Sequence, residues 1–348
     1  MDNHINHIVK YYACKFRKFS CPYPQKNVLP GLHISLKLQR HILAFLTAIL
    51  LSGFLLPPVT GAEEKSFRLA GIAPGVYLHQ GVTVDFASPR HDDIANIGFI
   101  VGTKCVAVVD TGGSVKIGAA LRSAIRGITN LPVCYVINTH VHFDHVLGNQ
   151  AFAGDQPVFI GHAGLADAIE ASRAFFLKDF KMELGGSPSE KSIIGPTRTV
   201  TDTLSLDLGG RTLLLSAWPA AHTHADLTVL DAKTKTLWTG DLLFREHIPV
   251  LDGSLKGWLA VMNTLMAVDA KIIVPGHGPP GNNWGEVMTA QENYLIKLLQ
   301  ETRKAIAGGV FMEDAINTIG AGEKDKWQLF EQHHRANVSK AFVELEWE

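Results

Sequence analysis

The chain has 348 residues, 46% of them apolar, and its 32 Lys and Arg nearly balance its 33 Asp and Glu for a net charge of −1. That hydrophobic content is ample for a sizeable core and excludes an extended, disordered polyelectrolyte. The length accommodates two domains or one α/β sandwich of about 200–250 residues with appendages, and a single catalytic domain is the expectation.

Residues 1–36, with Cys14 and Cys21, show no hydrophobic period and read as a disordered or mis-assigned leader. Residues 37–62 read as a secretory signal peptide: Lys37 and Arg40 precede an apolar run over 42–56, and Pro57, Pro58 and Thr60-Gly61-Ala62 follow it. Cleavage is expected after Ala62, with no stable membrane span afterwards, because the 15-residue run is short for a transmembrane helix. The mature protein is then periplasmic, with 25 basic against 32 acidic residues, a net charge of −7. Nucleic acid is disfavoured as a partner, since polyanions need clustered positive charge. Only Cys105 and Cys134 remain after cleavage, and a disulfide and a pair of buried apolar thiols are both open to them.

Residues 75–109 read as several strands, the last a buried one over 105–109 that ends at Asp110-Thr-Gly-Gly113. A helix follows: Val115, Leu121, Ala124, Ile125 and Ile128 recur at helical spacing, Ser114 can cap its start, and Asn130 with Pro132 stops it. Residues 133–137 are the next parallel strand. A helix is expected over 163–184, broken by Gly185-Gly-Ser-Pro188. Hairpins follow, one over 204–217 turning at Gly209-Gly210 and one over 227–239. Beyond residue 283 a long helix over 287–307 carries Leu295, Leu298 and Leu299 on its apolar stripe, and one or two more helices complete the tail, where His333 and His334 are expected on the surface. Two β-rich halves with helices outside predict an α/β (α+β) fold, a four-layer αββα sandwich, with a catalytic domain over 63–283 and a C-terminal helical extension over 284–348.

The chemistry sits just after the 133–137 strand, in His140-x-His142-x-Asp144-His145. Four ligand-type groups within six residues would leave imidazoles and charge crowded and uncompensated unless a cation held them, and imidazole with carboxylate suits zinc or iron. If the segment is extended, His140, His142 and Asp144 converge on one side while His145 turns toward a neighbouring position, so one short segment can serve two ions. Three further ligand-type residues, His222, Asp241 and His277, each close a strand-like run and are expected at strand ends, where a rigid scaffold presents catalytic groups.

In these residues the chain resembles the metallo-β-lactamase superfamily, over about residues 70–283. The resemblance implies His140, His142 and His222 on one metal, Asp144, His145 and His277 on a second, and Asp241 bridging them. Asp at 241, rather than Cys or Ser, looks more like the glyoxalase II, lactonase and phosphodiesterase branches than like the antibiotic-degrading enzymes. A closer resemblance is to the periplasmic quinoprotein relay system zinc metallohydrolase group and its relatives encoded with sulfur-oxidation genes. It is carried by Ile94-Ala-Asn-Ile-Gly-Phe-Ile-Val101, Val108-Val-Asp-Thr-Gly-Gly113, Ala221-His-Thr-His-Ala-Asp226 and Gly240-Asp-Leu-Leu-Phe-Arg245. It implies a link to quinoprotein metabolism, with a periplasmic quinoprotein as partner.

The expected activity is hydrolysis of a small ester, thioester, lactone or similar substrate by hydroxide made from water at two Zn²⁺ ions, with Asp144 and Asp241 orienting it and iron as the alternative metal. Asp226 and Asp110 are expected to buttress ligand histidines, because metal-bound imidazoles usually donate their other N–H to a carboxylate or carbonyl. His224 is expected in a loop or supporting role beside His222. Arg245, on a loop with His247, would suit an anionic substrate group through its fork. Two other readings compete: a mononuclear iron dioxygenase acting on a persulfide, and a non-catalytic, metal-stabilised factor for a quinone cofactor or for quinoprotein maturation.

Overall fold

Alternating apolar residues along short strands build two sheets whose inner faces share one core. The computed structural model describes residues 67–348, so the leader, signal peptide and cleavage site expected within residues 1–62 lie outside the described residues. The first sheet lays seven strands side by side in chain order: β1 (Ala70–Ala73), β2 (Val76–His79), β3 (Ile97–Val101), β4 (Val106–Val109), β5 (Val133–Ile137), β6 (Val158–His162) and β7 (Arg198–Val200). The first four are antiparallel and the last four parallel. The second sheet contains β8 (Thr203–Asp207), β9 (Thr212–Ala217), β10 (Leu227–Asp231), β11 (Thr236–Phe244) and β12 (Ile272–His277), again neighbours in chain order, with only β11 and β12 parallel.

Ile100, Ala107, Val109, Ile137 and Ile160 of the first sheet meet Leu206, Leu213, Leu215, Val229, Trp238 and Val274 of the second in one apolar layer. The opposite face of the first sheet, through Phe99, Val106, Val108 and Val136, packs on Leu121 and Ile125 of α1 (Val115–Ile128). On the far side of the second sheet, Leu237, Leu243 and Ile273 are covered by α4 (Leu255–Leu265), α5 (Trp284–Ala307) and α7 (Phe330–Leu345). Four layers result, in the order helix, sheet, sheet, helix. Three more α-helices lie among the described residues: α2 (Phe143–Val146), α3 (Leu165–Asp179) and α6 (Met312–Thr318). Among the described residues no helix is long and apolar enough to cross a membrane.

Where local signals were strong, the elements fall where the sequence places them. Ser114 caps α1, accepting from the Ile117 N–H at 3.1 Å, and α1 joins β4 to β5 as a parallel crossover. Cys105 and Cys134, adjacent at the starts of those two strands, form a disulfide with their Cα atoms 5.8 Å apart. Three expectations change. Helix α3 stops at Asp179, because the chain turns to bury Phe180 and Leu184 against Phe176 and Ile169. Strand β11 runs on to Phe244, since Leu242, Leu243 and Phe244 are also buried. The His333 and His334 pair is not fully on the surface: His334 is buried between Tyr294 Oη (3.0 Å) and the Ile319 carbonyl (2.7 Å), and the half-buried His333 packs at a tilt against His247.

Candidate metal centre

All seven ligand-type residues converge at the carboxyl end of β5 and the facing ends of the second sheet. They form two clusters, His140, His142, His222 and Asp241 in one and Asp144, His145 and His277 in the other, each with its ligand atoms within 4.8 Å of one another. Asp241 faces both. Its Oδ2 lies 3.4 Å from His222 Nε2, 3.6 Å from His140 Nε2 and 3.3 Å from His277 Nε2, while Oδ1 is 3.2 Å from His145 Nε2. Asp144 Oδ2 closes the second cluster at 3.3 Å from His277 Nε2 and 3.4 Å from His145 Nε2.

Local backbone explains the sorting. The chain is extended only as far as His142, which is the N-cap of α2 at φ −64°, ψ 149°. Asp144 and His145 lie in the first turn of that helix, so Asp144 joins His145 and not His140 and His142, as strict strand alternation would have it. Phe143 anchors the turn by stacking on Phe180, ring centroids 4.5 Å apart. Asp241 is likewise not at a strand end. It lies within β11, where the register with β12 slips between Gly240 and Phe244. Gly240 takes a left-handed φ of 51°, and a Cβ on Gly276 would overlap Asp241 Oδ1. His277 is the last residue of β12, and His222 sits on the loop after β9.

Each imidazole is oriented by its other ring nitrogen. His145 Nδ1 donates to Asp110 Oδ2 at 2.9 Å. His140 Nδ1 donates to Thr139 Oγ1 at 3.0 Å, and that hydroxyl in turn donates a hydrogen bond to Asp110 Oδ2 at 2.8 Å. Asp110 holds this position in the left-handed region, at φ 54°. His222 Nδ1 donates to the Val250 carbonyl (2.6 Å) and His277 Nδ1 to the Ile94 carbonyl (3.0 Å). His142 is reversed: Nε2 faces Asp252 Oδ2 at 3.3 Å, which leaves Nδ1 toward the cluster, 3.1 Å from His222 Nε2.

Burial and neighbours set the charge. Burial, reinforced by His145, drives His140 well below the ordinary imidazole range, and burial takes His222 down to about 3. It opposes charge on His145 and His277 as well, but Asp241 and Asp144 outweigh it, so His145 is raised well above that range and His277 to about 9. The same pairs overcome burial to hold Asp144 and Asp241 well below the carboxylate range. Two buried carboxylates are thus offset by protons on two imidazoles, and a divalent cation would displace those protons. His140 Nε2, His145 Nε2 and Asp241 Oδ1 are buried without a hydrogen-bond partner. Convergent buried polar atoms left unpaired in this way are costly, and a metal ion that displaces the protons satisfies them.

Among the surrounding residues, Asp226 and Arg245 depart from expectation. Asp226 touches no ligand histidine. It accepts from the Thr223 N–H (2.9 Å) and Thr223 Oγ1 (2.6 Å) and so braces the loop that carries His222. The His224 side chain on that loop is exposed and orients none of the ligands. Arg245 is not free to fork a substrate anion, because it donates to the carbonyls of Pro279 and Pro280 and to Glu286 Oε1, each at 2.9 Å. It fastens the loop after His277 instead. Sequence reasoning missed Thr139, Val250 and Asp252: the first two act through a hydroxyl next to a ligand and a main-chain carbonyl, and Asp252-Gly253 reads as an ordinary turn.

A model described as the metallo-beta-lactamase superfamily matches residues 91–277. The chain is 23% identical over 236 residues to the linear primary-alkylsulfatase of Pseudomonas sp. (strain ATCC 19151), covering 58% of this chain and 43% of that protein, less than half of its length. It is 23% identical over 254 residues to a beta-lactamase-like protein 2 homolog of Caenorhabditis elegans, covering 70% of this chain and 74% of that one. Among solved structures, a metallo-beta-lactamase from Pontibacter korlensis superposes with a TM-score of 0.54 at 19% identity, over 66% of this chain and 98% of its own. That likeness is one of fold.

Proposed function

Because the chain belongs to the metallo-beta-lactamase superfamily, we propose that it is an exported dinuclear zinc hydrolase acting on an ester, thioester, lactone or similar small substrate. The observation that carries this reading is the pair of buried ligand sets sharing Asp241. His140, His142 and His222 would hold one ion, Asp144, His145 and His277 the other, and Asp241 would face both. Zinc bound there would supply Lewis acidity, polarising the scissile carbonyl and lowering the pKa of water from about 15.7 toward about 7. Asp144 and Asp241, held as carboxylates, would accept hydrogen bonds from the attacking water and orient it. No serine or cysteine nucleophile is then required.

Export is supported by the basic-apolar-small pattern of residues 37–62 and by the Cys105–Cys134 disulfide, since such bonds persist in oxidising compartments. The motif segments around Asn96, His222 and Asp241 support a role in quinoprotein-linked metabolism, with a periplasmic quinoprotein as partner. The alkylsulfatase relative adds sulfate esters to the substrates worth testing.

The test is metal content per chain, purified without added metal, followed by turnover of esters, thioesters, lactones and sulfate esters. Close to two zinc ions, and a turnover that Asp144→Ala abolishes without unfolding, are expected. About one iron would replace this reading with persulfide oxidation. Tight binding of a quinone cofactor with no turnover of the panel would replace it with the maturation factor.

A further inference from the structure

The C-terminal helix reaches the centre along one face. Asn337, Lys340 and Glu344 recur on α7 at spacings of three and four, so they project on the same side. Each grips the segment over 249–255. Asn337 Nδ2 donates to the Pro249 carbonyl (2.6 Å) and its Oδ1 accepts from the Leu251 N–H (2.9 Å), bracketing the Val250 carbonyl that orients His222. Glu344 accepts from Ser254 Oγ (2.7 Å) and the Leu255 N–H (2.6 Å). Between them, Lys340 Nζ donates to Asp252 Oδ1 at 2.8 Å, and the other oxygen of that carboxylate faces His142 Nε2.

His142 differs from the other four imidazoles in presenting Nδ1 to the centre, and it is half-buried where they are buried. His140 and His222 pack against it at right angles, and the contact with Asp252 meets its outward nitrogen. With one oxygen of Asp252 held by Lys340, the rotamer that keeps its other oxygen against the ring is favoured. We infer that Lys340 is a positioning residue for the metal centre, acting through Asp252 to hold the His142 ring with Nδ1 toward the metal.

This inference rests on the metal reading above, and its test separates the two. The full chain is loaded with cobalt(II) for its visible d–d spectrum, and its zinc affinity is measured by competition with a chelator. Lys340→Met is compared with Lys340→Arg and with Lys256→Met, which removes an ion pair of the same length to Glu348, away from the ligands. Lys340→Met is expected to shift the cobalt spectrum and weaken zinc binding about tenfold, the lower end for an outer partner of a ligand. Its thermal midpoint should match that of Lys256→Met, and Lys340→Arg should restore both spectrum and affinity. An unchanged spectrum and affinity in Lys340→Met, with cobalt bound by the wild type, would overturn the role of Lys340 and leave the metal reading intact. A loss of affinity matched by a fall in thermal midpoint that Lys340→Arg does not reverse would mean a structural brace only, and overturn it too. A wild type that takes up no cobalt would overturn both.

Discussion

The turn after β5 delivers His140, His142, Asp144 and His145 within six residues, whereas the second sheet sends His222, Asp241 and His277 from three segments spread over residues 222–277. Asp110 and Thr139, which orient His140 and His145, come from the ends of β4 and β5 beside that turn. The second half is oriented by carbonyls of distant loops, Val250 for His222 and Ile94 for His277, and by a segment that α7 holds in place. The first half is therefore assembled largely by its own local chain. The second exists only once the sheets and helices have packed, so perturbations far from the centre should reach it through that side and through His142, the ligand of the first half that faces Asp252.

Asp241 belongs to both halves, and Asp241→Ala should have the largest effect. Zinc per chain should drop from about two to near zero, and kcat/KM should fall by on the order of 10³ or more. Retention of one zinc would show instead that the remaining three ligands of a cluster hold an ion without the shared carboxylate. Asp110→Asn probes that local half: it weakens the carboxylate that receives His145, and zinc affinity in a chelator competition should fall about 10- to 100-fold. A smaller effect is expected from Arg245→Met on the packed side. Losing its contacts to Pro279, Pro280 and Glu286 should cost about 1–2 kcal/mol in chemical denaturation. KM should move equally for anionic and neutral substrates, which a substrate-binding arginine would not allow.

The smallest effect concerns Asp226, whose carboxyl burial pushes up to about 6 from an ordinary 3.8. The folded protein keeps this proton where the unfolded chain has lost it, so its contribution is fullest below about 3.8 and is lost as pH rises toward 6. Asp226→Asn should flatten the fall in stability across that window, read from denaturation midpoints at about pH 4 and pH 7. An unaltered slope would mean that folding leaves the affinity of the Asp226 carboxyl for its proton unchanged.

Legibility in the sequence follows the same division. The β4, α1 and β5 unit could be read because Ser114, the 115–128 apolar period and Pro132 are local signals, and the ligand motif could be read because it is dense. Where a long-range contact competed, reading by local pattern went astray. Gly240-Asp241 has the look of a strand end, yet β11 continues because the three residues after it are buried against the helical layer. Arg245 has the look of a free fork, yet its donors are taken by carbonyls some 34 residues away. His334 has the look of a surface residue because nothing in α7 itself foretells Tyr294 as its partner.

By itself, then, the sequence determined the elements, the layer architecture and the seven ligand-type residues, because periodicity, capping and ligand chemistry are properties of short segments. Tertiary structure alone decided which ligands share a cluster, which nitrogen each imidazole turns inward, and that Asp252 and Lys340 stand behind His142. Those outcomes depend on hydrogen bonds between residues tens to more than a hundred positions apart, such as the 110 positions that separate His142 from Asp252. No local pattern encodes a contact at that separation.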